Sequence, residues 1–127
     1  MEMKNKVLSV LVLTIFVLSM TSCTKNKEIT CNLNTGEQAP MDLPIVFTAS
    51  QTGDGVITSL YYKAGDTEET IVNPYLPWTL NIDVSEGDQV LITATGTVKD
   101  GTLEVTYEGE SGGFKMSGSD NCSNSNN

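Results

Sequence analysis

The sequence predicts an all-β protein: a single immunoglobulin-like antiparallel β-sandwich of about seven strands, following a cleaved lipoprotein signal peptide. Three observations predict the fold. Short runs of alternating apolar and polar residues recur through the centre of the chain. Breaks rich in Gly, Asp and Pro separate them, and no segment of that region carries the 3.6-residue period of an amphipathic helix. A closed small barrel is the alternative architecture.

The elements follow in order. Residues 44–49 (PIVFTA) alternate Ile45, Phe47 and Ala49 on one face. Residues 56–62 (VITSLYY) offer Val56, Thr58, Leu60 and Tyr62, and 70–72 form a short strand ending at Asn73-Pro74. The cleanest alternation is 79–84 (TLNIDV), with Leu80, Ile82 and Val84 inward and Thr79, Asn81 and Asp83 outward. Residues 89–95 put Val90, Ile92 and Ala94 inward, 102–107 do the same with Leu103, Val105 and Tyr107, and Phe114 and Met116 close the set. The breaks are TGDG, AGDTEE, NPYLP, SEGD, GTVKDG and EGESGG, all of turn composition.

The N-terminus reads as an address. Lys4 and Lys6 precede an uncharged run over 7–20, too short for a membrane-spanning helix of about 20 apolar residues but suited to a signal-peptide core. The string LSMTSC then resembles a bacterial lipobox, in which Cys23 is acylated and becomes the first residue of the mature chain. More than one acyl chain at Cys23, of palmitate type, suffices for stable anchoring. The alternatives are an ordinary secretory signal with an incidental Cys23, or an uncleaved short anchor. The expected division is 1–22 signal peptide, 23–43 lipidated Cys and polar tether, 44–119 sandwich, and 120–127 a disordered Ser/Asn tail. Within the tether, ITCNL (29–33) offers a short edge strand, and the tether's reach is ~25 Å.

Composition excludes much chemistry. The 127 residues include no histidine, and all 7 basic residues are lysines, against 16 acids, for a net charge of −9. Imidazole-assisted nucleophiles, His-ligated metals and arginine phosphate clamps are absent, and so acid a chain is unsuited to nucleic acid. An enzyme is not expected: the acids fall on turns or outward faces, no serine stands in a G-x-S-x-G context, and no cofactor is expected. After Cys23 two cysteines remain, Cys31 and Cys122. In an oxidising envelope compartment they read as a disulfide worth about 4 kcal/mol in the chain-entropy picture, with two free thiols in loose tails as the alternative.

The run VNPYLPWTLNIDV, a Gly-Asp turn, and then LITATGTVKDGTLEV resemble the MmpS-type family. These are small membrane-anchored accessory proteins of RND-type lipid transporters in mycobacteria, with an immunoglobulin-like outer domain. The resemblance runs from about Pro44 to Cys122 and is carried most specifically by Leu76-Pro77-Trp78. Gly53, Gly55, Tyr61-Tyr62 and the Ala94-Thr95-Gly96 turn entry add to it. The chain departs from the family in having a lipobox for a transmembrane anchor and 108–113 for a tight Asp-Gly hairpin. The resemblance implies a transport accessory role, with an envelope transporter as the partner.

Candidate sites are few. Trp78 shares the parity of Leu80, Ile82 and Val84 and is expected in the core, while Tyr75 and Leu76 are exposed candidates for a partner. If strands run up and down, Asp66, Glu68, Glu69, Glu86 and Asp88 gather at one end with Glu108 and Glu110, opposite Asp54, Lys99 and Asp100. The first five are candidates for calcium, though no Asp-x-Asp-x-Asp loop exists and solvated turns explain them as well. The expected function is that of a lipid-anchored, monomeric binding or accessory protein of the bacterial cell envelope, facing the periplasm rather than the cell surface. The alternative is a structural or adhesive surface module.

Overall fold

The computed structural model describes residues 27–125, so the signal peptide and Cys23 lie outside the described residues. Eight strands follow one another: β1 (Ile29–Gln38), β2 (Leu43–Gly53), β3 (Val56–Ala64), β4 (Thr67–Val72), β5 (Trp78–Val84), β6 (Gln89–Val98), β7 (Gly101–Ser111) and β8 (Phe114–Asn124). All pairings are antiparallel, in two four-stranded sheets ordered β1-β6-β3-β4 and β5-β2-β7-β8. The fold is therefore a β-sandwich with two open sheets. The neighbours β2–β5 and β3–β6 reproduce the B–E and C–F pairings of an immunoglobulin sandwich. Strand β7 occupies the flank of β2 that strand A would take, and β1 the flank of β6 that G would take.

The core lies between the sheets. Ile45, Phe47 and Ala49 of β2 and Leu103, Val105 and Tyr107 of β7 face Leu60 and Tyr62 of β3 and Val90, Ile92 and Ala94 of β6, all buried. Each large apolar side chain so placed contributes roughly 1.5–3 kcal/mol. Phe47, Tyr62 and Trp78 form a row of tilted rings, with centroids 5.6 and 5.8 Å apart.

Four expectations need correction. The polar segment expected as a tether over 23–43 carries β1, a ten-residue strand that exchanges hydrogen bonds with β6 along its whole length. The tail expected to be disordered from residue 120 continues β8 through Asn124, paired with β7. The sandwich thus has eight strands and runs well past the expected 44–119. Both misread segments are edge strands, and in each only alternate residues face a core: Cys31 and Leu33 in one, Met116 and Cys122 in the other. Third, the expected face of β3 holds only for Leu60 and Tyr62. A β-bulge lies between Ile57 and Ser59, so Thr58 is an extra residue, Ile57 turns inward and Val56 outward.

The fourth correction follows from the bulge. The expected turn entry at Ala94-Thr95-Gly96 is the middle of β6, and Gly96 stands opposite Ile57. A β-carbon on Gly96 would collide with the carbonyl oxygen of Val56, so only glycine lets the bulged strand approach this closely. The turn itself is only residues 99–100. Likewise β3 and β4 are joined by two residues, Gly65-Asp66, with Gly65 at φ 63°, the left-handed value that opens a type II′ hairpin.

Candidate functional site

Strand direction sorts the connections into two ends. At the upper end lie the start of β1, the 54–55 and 99–100 turns and the 73–77 loop. At the lower end lie 39–42, 65–66, 85–88 and 112–113. Most of the connections that cross between sheets are tied to one another through a carboxylate. At the upper end, Asp54 Oδ1 accepts from the amides of Lys99 and Asp100, both at 2.9 Å. Those two hydrogen bonds hold the Asp54 carboxyl below its usual range. At the lower end, Asp42 accepts from the Glu86 amide and Asp88 from the Ser85 amide, both at 2.8 Å, while the Ala39 and Gly87 backbones bond across the gap.

The acids foreseen as calcium candidates are thereby dispersed. Glu68 accepts from the Tyr61 hydroxyl at 2.6 Å, Glu69 from the Tyr62 hydroxyl at 3.2 Å, and Asp88 caps its own turn. Asp66 and Glu86 stand apart on their turns. Among the described residues no three groups converge to hold a metal ion. Glu68 and Glu69 thus serve as tyrosine acceptors and Asp88 as a turn cap.

The 73–77 loop differs from the other sheet crossings. It is tied by a single backbone bond from the Asn73 amide to the Thr58 carbonyl at 2.9 Å, contains a left-handed Asn73 (φ 52°) and passes through a cis Leu76-Pro77 bond. It ends in Trp78, whose ring turns inward, half-buried against Tyr62 with Leu80 and Ile82 beside it and Val84 fully buried. Leu76, expected at the surface, instead packs partly against the core. Tyr75 projects from the loop's crest with 95% of its surface exposed. Val56 (51% exposed) lines a common recess with Tyr75, and Val72 (70%) ends β4 where the loop begins; neither valine has a partner role in the sequence reading. The bulge that inverts β3 is what brings Val56 out, so the alternating pattern assigned it to the core.

A recess of about 230 Å³ runs under this crest between Gln51, Gly55, Asn73 and Pro74. A second, of about 400 Å³, lies on the outer face of β2, β7 and β8, lined by Pro44, Val46, Glu108, Glu110, Lys115 and Ser117. Neither encloses an unpartnered buried polar side chain, and no buried side-chain donor or acceptor among the described residues lacks a partner. The recess under the crest presents the side chains of Val56, Ile57, Tyr75 and Leu76 beside the amides of Gln51 and Asn73. Among the described residues no helix is long and apolar enough to cross a membrane. No family model, curated protein or solved structure matches the chain.

Proposed function

We propose that this protein is a lipid-anchored binding or accessory protein of the bacterial cell envelope, held by acylated Cys23 and working through surface contact. The observation that carries the reading is the uncovered apolar crest at Tyr75, Val72 and Val56 on a sandwich whose other sheet crossings are tied down. Exposed apolar clusters on rigid domains are where contacts form. The basic start, the short apolar run and the Cys at its end support anchoring, and the Cys31–Cys122 bridge fits an oxidising compartment. The MmpS resemblance adds the specific role: assisting an RND-type transporter from the periplasmic side.

The test is affinity capture of the native protein from detergent-solubilised envelopes. Co-purification of an RND-type transporter component supports the accessory role. A protein that fractionates with membranes, depends on Cys23 for doing so, and brings down no transporter would leave a structural or adhesive module.

A further inference from the structure

The strand order decides which end of the sandwich stands nearest the anchor. Ile29 opens β1 and pairs with Val98; Thr97 pairs with Val56; and Ser59 pairs with Val72. These residues therefore mark one end of the domain, and the Tyr75 loop rises from that same end. From Cys23 to Ile29 there are six Cα steps along the sequence. Fully extended, they span at most about 20 Å. A domain tethered so shortly through β1 keeps its upper end against the membrane surface.

We propose that this upper end is a lipid-contacting face, with Tyr75 entering the interfacial layer of the bilayer that holds Cys23 and Val72 and Val56 seated beside it. The proposal rests on the lipid-anchor reading and names the bilayer as the partner of the crest. Chemistry at the two ends agrees with it. Among the described residues the upper end carries the three most exposed large apolar side chains, Tyr75 (95%), Val72 and Val56, against Phe114 at 40% and Met41 at 39% at the lower end. A tyrosine is suited to this layer because its ring is apolar and its hydroxyl remains hydrated.

Charge separates the ends further. The upper end carries Lys27 and Lys99 against Glu28, Asp54 and Asp100, a near balance of charge. Asp42, Asp66, Glu86, Asp88 and Glu110 gather at the lower end with Lys115 among them, a clear excess of acid. An anionic leaflet repels the lower end and tolerates the upper one, within a Debye length of the surface. The crest is too small to bind a membrane alone. Tethering makes its contact an intramolecular event at high effective concentration, so little affinity is required. The consequence is a fixed orientation: the sandwich stands on its apolar end and turns its acidic end and sheet faces toward a partner.

The full-length lipidated protein in phosphatidylethanolamine/phosphatidylglycerol vesicles tests this, with acyl chains either plain or brominated. Tyr75→Trp combined with Trp78→Phe leaves one indole at the crest, and Phe114→Trp combined with Trp78→Phe leaves one at the lower end. The expected result is a blue shift and roughly twofold quenching by brominated chains at position 75, with none at 114. If Trp78→Phe destabilises the fold, Tyr75→Trp alone serves, read as an added quenchable component over wild type. Vesicle-bound protein with an unquenched indole at 75 overturns the proposal and leaves the crest to a protein partner. Protein that never associates with vesicles, or does so equally after Cys23→Ser, instead overturns the anchor reading.

Discussion

The two edges of this sandwich are built differently. At one, β1 and β8 are joined by the Cys31–Cys122 disulfide, with Cα atoms 6.0 Å apart. The Asn34 amide donates to Asp120 at 2.9 Å and the Asn124 side chain to the Lys27 carbonyl at 2.7 Å. At the other, β4 and β5 share no such tie, and Trp78, Leu80 and Ile82 remain half-buried. The stapled edge is polar in sequence and closed in structure; the open edge pairs a polar β4 (TEETIV) with an amphipathic β5 whose inward side chains are partly uncovered. Hydrophobic content therefore does not say which edge is sealed. Covalent and hydrogen-bonded ties do that, and they leave the opposite edge and its loop free for contact.

The largest test of this contrast is removal of the staple. Cys31→Ser with Cys122→Ser is expected to cost about 4 kcal/mol, because the bridge closes a loop across 91 positions. The midpoint of urea unfolding reads the loss. Hydrogen exchange should then place the new opening in β1 and β8, with β4 and β5 little changed. Equal loosening of both edges would show that the disulfide acts only on the unfolded chain and not on one side of the fold.

A buried group beside the stapled edge also titrates. Tyr107 is buried on β7 with Glu37 of β1 nearby, and burial first, then that carboxylate, push its hydroxyl up to about 12. A phenol raised above the ordinary value of 10.0 favours folding while it stays protonated. Its contribution is intact below pH 10 and fades as pH rises through about 12. Tyr107→Phe should flatten stability across that window, as followed by circular dichroism at fixed urea. An unchanged alkaline slope would assign the loss to other groups.

At the open edge the matching change is Trp78→Ala. A fully buried tryptophan costs 3–5 kcal/mol on truncation; this half-covered ring should cost about 2 kcal/mol. Thermal unfolding measures it. A cost as large as that of the staple would mean that the open edge is as much a part of the core as the closed one.

How much of this was legible beforehand follows from the same contrast. The inner strands were readable because both neighbours and the opposite sheet impose a period of two, as in β2 and β7, where Ile45, Phe47 and Ala49 and Leu103, Val105 and Tyr107 are the inward sets expected. The edge strand β5 is strongly amphipathic and keeps its expected inward set Leu80, Ile82 and Val84 as well. The polar strands of the stapled edge, β1 and β8, were readable only in part. Thr30, Asn32, Asn34 in β1 and Ser117, Ser119, Asn121 in β8 face outward, which makes each segment read as tether or tail. Cys31 and Cys122, whose bridge was expected, hinted that both are structured, and the short edge strand expected at 29–33 is the first half of β1. The bulge at Thr58 left no sign in the strand that carries it. Its trace lies across the ladder in Gly96, a glycine within a strand, which composition alone assigned to a turn. For the same reason Tyr75 could be singled out as a contact residue while Val56 could not.

The smallest expected effects are at Asp54 and then Tyr75, and the pair tests the contrast between the tied crossings and the 73–77 loop. The Asp54 carboxylate accepts two amide hydrogen bonds that join the 54–55 turn to the 99–100 turn, and this lowers its pKa. A depressed carboxyl stabilises the fold above its unfolded value of 3.8, and the contribution disappears as pH falls through the lower folded value. Asp54→Asn should therefore lower stability slightly at neutral pH and remove part of the acid-side decline. Solvent exposure keeps the change below that of Trp78→Ala. The informative comparison is Tyr75→Ser, which removes the most exposed side chain on the free loop and should leave stability within about 0.5 kcal/mol of wild type. Should Tyr75→Ser cost more than Asp54→Asn, the crest would be part of what holds the upper end together, and its apolar surface could no longer be assigned to contact alone.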